Sequence, residues 1–154
     1  MSVSTAPVPA TTPRRLGIGA RRVGYLIAAA VNALLLYVVN VAPGWENMSF
    51  LTEDFSRVVG VLNLSLAAGA AVNLLWIAAD PSWLRSLGQL VLSGISLVVT
   101  LRLLDVFPFD FSDWAVDVTW LARFVLVIAA FATALAVMVE AVKLARLVLG
   151  LRER

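Results

Sequence analysis

The sequence predicts an all-α, polytopic membrane protein with four transmembrane helices in an antiparallel up-down bundle and both termini cytoplasmic. Of its 154 residues, 61% are hydrophobic and only 14% are charged. The apolar residues form four long stretches, each able to cross the ~30 Å hydrocarbon core of a bilayer as a helix. Basic residues are concentrated on one side of these stretches. A soluble domain of this size needs a larger polar surface, so lipid is the expected solvent.

The first predicted element is a disordered cytoplasmic tail over residues 1–20, which contains three prolines and no apolar periodicity. Helix one follows at about 22–42, within which residues 23–42 carry no charge, and Pro43 ends it. A secretory or twin-Arg signal peptide is the alternative, because paired arginines precede the apolar core. That core is longer than the ~7 to 15 residues of such signals, which favours a helix retained in the protein.

The second and third helices are predicted to form a tight antiparallel hairpin. Helix two is expected at about 53–79, with the hydroxyl of Thr52 placed to cap its N-terminus. Helix three is expected at about 82–104. Asp80 is predicted to cap helix three and Pro81 to open its first turn, so the connection between the two helices is short.

Helix four is predicted at about 113–149, after an aromatic and acidic connection over residues 107–114 that is typical of a membrane interface. At ~1.5 Å per residue this helix exceeds the bilayer thickness, so its last third is expected to leave the membrane. The transmembrane domain as a whole covers residues 21–150, and a C-terminal tail covers 151–154.

The distribution of basic residues predicts the orientation. The side that holds both termini and the turn between helices two and three carries nine of the twelve basic residues: Arg14, Arg15, Arg21, Arg22, Arg85, Lys143, Arg146, Arg152 and Arg154. The other side carries seven of the ten acids. By the positive-inside rule the protein is expected in the cell membrane as a multi-pass protein, with its N-terminus and C-terminus in the cytoplasm.

Composition also restricts the chemistry. The chain contains no Cys and no His, which removes disulfides, thiol nucleophiles, imidazole metal ligands and histidine proton relays. No motif indicates a catalytic, cofactor-binding or metal-binding residue, so neither a cofactor nor an enzymatic activity is expected. The net charge of +2 is too small and dispersed to indicate nucleic-acid binding. The expected partners are the lipid bilayer and either a homo-oligomer or a larger membrane protein.

Helix three carries a polar stripe along one face, with residues spaced alternately by four and three. Its members are Ser82, Ser86, Gln89, Ser93, Ser96 and Thr100. This spacing predicts that the stripe faces protein and not lipid, because Gln89 gains hydrogen bonds only there. Two interpretations remain open. The first is close helix packing through small hydroxyl residues, and the second is a polar pathway for a small solute.

Local pairing is expected for several other polar residues within the membrane. Asn32 and Asn63 are predicted to form interhelical hydrogen bonds, since an unpaired amide is costly in lipid. Helix two presents small and polar residues at Gly60, Asn63, Ala67 and Ala70, which predicts close packing against helix one or three. On helix four, a separate ion pair between residues 140 and 143 is favoured over a transport carboxylate.

Three arginines lie on the acidic side and form a candidate anion or lipid-headgroup site at the outer interface: Arg57, Arg102 and Arg123. Each lies at a similar distance from the opposite end of its helix, so the three guanidinium groups could converge on one oxyanion. The alternative is local pairing with the nearby acids or snorkelling to lipid phosphate.

The segment 43–111 resembles uncharacterised small four-helix membrane proteins of bacteria and archaea, on the strength of residues 50–55, 80–83 and 107–110. The resemblance implies the fold and no activity. The favoured hypothesis is therefore a non-enzymatic interaction or accessory subunit. The alternative is an oligomeric channel or carrier for a small solute that uses the polar stripe of helix three.

Overall fold

The computed structural model describes residues 17–150 and is built from four long helices: α1 (Ile18–Asn40), α2 (Ser56–Ala78), α3 (Ser82–Val106) and α4 (Thr119–Val148). Residues 1–16 and 151–154, with most of the predicted N-terminal tail and the predicted C-terminal tail, lie outside the described residues. Counting the short turn that precedes α2, all four helices are long and apolar enough to cross a membrane. The all-α fold with four helices able to span a membrane is thus confirmed.

The helices pack in chain order. Within residues 17–150, α1 packs extensively on α2, α2 on α3 and α3 on α4, whereas α1 and α4 share at most marginal contact. Two ends of the molecule result. One holds the start of α1, the α2–α3 turn and the end of α4, and we call it the basic end. The other holds the two longer connections, at 41–55 and 107–118.

The inner helix α2 carries the largest buried face, formed by Val58, Leu66, Gly69, Asn73 and Trp76. Their spacing follows the seven-residue pattern of a helix that contacts neighbours along one stripe. The small face predicted from the sequence lies beside this one: Gly60 and Ala67 are exposed. Apolar residues surround the whole helix, so hydrophobicity alone does not mark the contact face.

The two long connections are joined by a short antiparallel bridge between Leu51 and Phe109. The Thr52 N–H donates to the Pro108 carbonyl at 3.1 Å, and the Asp110 N–H donates to the Phe50 carbonyl at 3.0 Å. Because one connection precedes α2 and the other follows α3, these bonds tie the two hairpins of the chain together at this end.

Aromatic rings continue from this bridge along the second connection. Phe107, at the left-handed end of α3 with φ 41°, begins the series. Successive ring centroids are 5.5 Å apart from Phe107 to Phe109, 6.1 Å from Phe109 to Phe111 and 5.2 Å from Phe111 to Trp114. Such rings suit the membrane–water interface, where an amphipathic layer separates lipid tails from water.

The structure corrects the predicted start of helix four from residue 113 to Thr119. Residues 112–118 instead form turns, in which Asp110 accepts a hydrogen bond from the Ser112 N–H at 2.9 Å. Asp117 accepts one from the Thr119 N–H, also at 2.9 Å, and so satisfies a free donor at the true helix start. Hydrogen bonds from the Ser112 backbone and side chain lower the pKa of the exposed Asp110 carboxyl. Hydrogen bonds from the Thr119 side chain and backbone lower the pKa of the exposed Asp117 carboxyl. The helix therefore begins six residues later than predicted, at a start that Asp117 supports.

The predicted caps at the other helix starts also differ. A 3-10 turn at Glu53–Phe55 precedes α2, and the Thr52 hydroxyl makes no capping hydrogen bond. At α3 the capping position is held by Pro81, without a side-chain cap, so Asp80 does not cap the helix. Its carboxylate has other partners at the basic end.

Candidate functional site

The basic end is organised around Asp80. Its side chain is only 15% exposed and lies between two cations: Arg21 Nε is 3.3 Å from Asp80 Oδ2, and an Arg85 terminal nitrogen is 3.7 Å from Asp80 Oδ1. The Tyr25 hydroxyl donates to Asp80 Oδ1 at 3.2 Å. Arg21 and Tyr25 belong to α1 and Arg85 to α3, so one carboxylate in the α2–α3 turn connects three parts of the chain.

An aromatic pair, Tyr25 and Trp76, packs next to the Asp80 cluster. The Tyr25 and Trp76 ring centroids are 5.3 Å apart, and the indole N–H of Trp76 donates to the Leu84 carbonyl at 3.4 Å. Trp76 is buried, and its ring also lies against the backbone at Gly88. The orientation of Tyr25 toward Asp80 is thus fixed by packing between α1, α2 and α3.

A polar cleft of about 240 Å³ lies beside the Asp80 cluster, between the first turns of α3 and the last turns of α4. It is lined by Arg85, Ser86, Gln89, Glu140 and Lys143. The ion pair predicted within α4 is present, with Lys143 Nζ 2.6 Å from Glu140 Oε1.

The polar stripe of α3 is divided between packing and this cleft. Ser93 and Thr100 are buried and Ser86 and Ser96 are half-buried, whereas Ser82 and Gln89 are exposed, unlike the predicted protein-facing stripe. The Thr100 hydroxyl donates to the Ser96 carbonyl of its own helix at 2.8 Å. The middle of the stripe therefore faces protein, while Gln89 borders the cleft.

The two predicted amide sites have different partners. The Asn63 and Asn40 side chains form a reciprocal pair across α1 and α2, at 2.7 Å and 2.9 Å. Asn32 instead donates to the Ala28 carbonyl of its own helix at 2.8 Å. Its amide lies against Gly69, where an added Cβ would be 2.7 Å from Asn32 Oδ1. Thus Asn63 forms an interhelical hydrogen bond with Asn40, and the Asn32 side chain fills the space next to Gly69.

We expect the Asn40–Asn63 pair to couple α1 and α2 energetically. Replacing either residue with Ala should lower the free energy of unfolding, and the double replacement should cost less than the two single changes together. A coupling of about 0.6 kcal/mol, and at most about 1.7 kcal/mol, is typical of such bonds in membranes. Reversible unfolding in mixed micelles measures it. Strictly additive effects would contradict the pair.

The three outer arginines differ in the groups that their side chains contact. Arg57 lies 3.5 Å from Asp54 in an exposed pair one helical turn apart. The Arg123 guanidinium lies 4.0 Å from the ring centroid of Phe107. The Arg102 side chain has no ion-pair or hydrogen-bond partner among residues 17–150. No contact joins the three within this part of the chain, so a shared outer anion site remains only a prediction.

No group of three acidic side chains within residues 17–150 is arranged to hold a metal ion. The four helices are long and apolar enough to cross a membrane, which suggests a multi-pass α-helical membrane protein. No protein-family model matches the sequence, and no curated protein or solved structure matches it.

Proposed function

We propose that the protein is a non-enzymatic interaction or accessory subunit of the cell membrane, inserted as an antiparallel four-helix bundle with both termini in the cytoplasm. The excess of Lys and Arg at the basic end supports this orientation. The observation that carries the proposal is the arrangement of α4. It is the longest helix, with 30 residues, none of which is buried.

The face of α4 turned toward α3 is small and polar. Ala122, Ala129, Thr133 and Ala136 are half-buried on this side, and the Thr133 hydroxyl donates to the Ala129 carbonyl of its own helix at 2.8 Å. Small residues permit close approach of two helices in lipid. The contact with α3 therefore uses mainly small side chains of α4, together with Leu126 and Val137, which are also half-buried.

The opposite side of α4 forms a seam of large exposed apolar side chains spaced three or four residues apart: Trp120, Phe124, Val127, Phe131, Leu135 and Met138. Large apolar side chains on a transmembrane helix face either lipid or another membrane protein, because lipid tails are as apolar as the side chains themselves. The proposed partner is a larger membrane protein that covers this seam.

An oligomeric channel or carrier is the second candidate, and the polar cleft at the end of the α3 stripe favours it. The hydroxyl hydrogen bonds argue against a solute pathway, since the Thr100 and Thr133 hydroxyls donate to carbonyls of their own helices. Hydroxyls bonded in this way serve packing, because the donor is already occupied.

A photo-crosslinking residue introduced at position 131 in native membranes tests the proposal. Phe131 is 75% exposed on the seam, and Leu34, 60% exposed on α1, is a matched control. We expect one protein adduct at position 131, reproduced at position 124 and absent at position 34. An adduct between two copies of this chain would favour the channel or carrier. Lipid adducts alone at positions 124 and 131 would overturn the accessory role.

A further inference from the structure

We propose that the polar cleft between α3 and α4 binds the phosphate group of an anionic phospholipid. The cleft is distinct from the predicted outer arginine site, because it lies at the opposite end of the helices. The inference goes beyond the proposed accessory role and does not depend on it. The ligand class follows from the donors that line the cleft, their charge and their position on two membrane-spanning helices.

The first donor is the guanidinium of Arg85. Its nearest carboxylate oxygen is 3.7 Å away, on Asp80, which is an ion-pair distance and longer than a hydrogen bond. The side chain is 38% exposed. A guanidinium carries five N–H donors in a planar fork that matches two phosphate oxygens, and here that fork is not occupied by Asp80.

The second cation is Lys143, across the cleft on α4. Its ammonium group has three donors and is 57% exposed, and Glu140 accepts one of these donors at 2.6 Å. The pair with Glu140 directs Lys143 and leaves the remaining donors available. Because Lys143 pairs with Glu140 of the same helix, its ammonium group is held near the cleft without a partner from α3.

Two neutral groups complete the lining. The side chains of Ser86 and Gln89 make no hydrogen bond within residues 17–150, although both border the cleft. A hydroxyl and an amide at the end of a membrane-spanning helix need a polar partner, since lipid tails offer none. Phosphate oxygens accept hydrogen bonds from both.

The charge of the site favours an anion. Arg85 and Lys143 face a single acid inside the cleft, Glu140, whose side chain is 13% exposed. Asp80 lies on the far side of Arg85 and is shared with Arg21. The start of α3 at Ser82 adds the positive end of a helix dipole without a side-chain cap. The cleft therefore has an excess of one positive charge before the dipole is counted.

The position of the cleft favours a phospholipid headgroup as the source of the phosphate. The cleft lies where two apolar helices reach the basic end, the level at which Lys and Arg side chains contact lipid headgroups. In the proposed orientation the basic end lies at the cytoplasmic leaflet, whose anionic phospholipids attract each basic residue. Free inorganic phosphate has the same binding chemistry and is the alternative source.

Native mass spectrometry of the full-length protein, released from nanodiscs of phosphatidylcholine containing phosphatidylglycerol, tests the site. We expect selective retention of phosphatidylglycerol over phosphatidylcholine. Lys143→Gln and Arg85→Gln should each reduce that retention about fivefold, the effect of one basic residue near an anionic surface. Arg22→Gln removes the same charge at the same end of the helices, from an exposed residue that does not line the cleft, and should reduce retention less than either cleft variant.

Two further arms separate folding from binding and lipid from free phosphate. Because Arg85 also contacts Asp80, Gln89→Leu provides a variant that leaves the Asp80 cluster intact, and it should also lower retention. Millimolar inorganic phosphate that displaces the lipid from wild type, but does not bind Lys143→Gln, would identify free phosphate as a ligand of the same cleft. Equal retention of phosphatidylglycerol by wild type, Lys143→Gln and Gln89→Leu would overturn the proposal.

Discussion

Replacing Gly88 with Ala is expected to lower the free energy of unfolding by about 1–3 kcal/mol, the usual cost of overpacking a well-packed core. A Cβ at this position would lie 2.8 Å from Trp76 Cζ2 and 2.9 Å from Val72 Cγ1. Trp76 cannot move freely, because it is buried and its ring contacts Tyr25. The strain therefore separates α2 from α3 and disturbs the Asp80 cluster.

Gly94→Ala is the matched control on the same helix. Its Cβ would have no atom within 4 Å, so the change should be neutral or stabilise the helix by up to about 1 kcal/mol. Reversible unfolding in mixed micelles compares the two variants. Equal stability of Gly88→Ala and wild type would contradict the close contact of α2 and α3 at Gly88.

The second large effect is expected at Asp80. Replacing it with Asn removes the charge shared by Arg21 and Arg85 and keeps the side-chain volume. Breaking a fully buried pair costs about 3–5 kcal/mol. Because these two arginines are about one-third exposed, we expect a smaller loss of about 1–3 kcal/mol in the free energy of unfolding.

Asp54→Asn makes the same chemical change in an exposed pair. Asp54 and its partner Arg57 are 55% and 72% exposed, and such surface pairs contribute about 0–1 kcal/mol. The expected difference between the Asp80 and Asp54 variants is therefore large enough to resolve by thermal unfolding in detergent. Similar stabilities of the two variants would contradict a structural role for the Asp80 cluster.

Much of the fold follows from local sequence. Four apolar stretches, each bounded by charges, Pro or Gly, determine four helices, because lipid requires every backbone group within it to be bonded inside the segment. The Glu140–Lys143 pair was also predictable, since residues three apart on a helix are neighbours whatever the surroundings. Helix ends were less predictable: α4 begins at Thr119 and not at residue 113, and Asp117 accepts a hydrogen bond from the Thr119 N–H.

Pairing between helices was decided only by the tertiary structure. Asp80 reads as a helix cap from sequence, yet its carboxylate binds Arg21 and Tyr25, more than fifty residues away. Asn63 bonds to Asn40 across α1 and α2, whereas Asn32 donates within its own helix. In a soluble helix the apolar stripe shows which face is buried, but a membrane helix is apolar on all sides. Its rotation is therefore set by close contacts, such as those at Gly88, that depend on the neighbouring helix as much as on its own sequence.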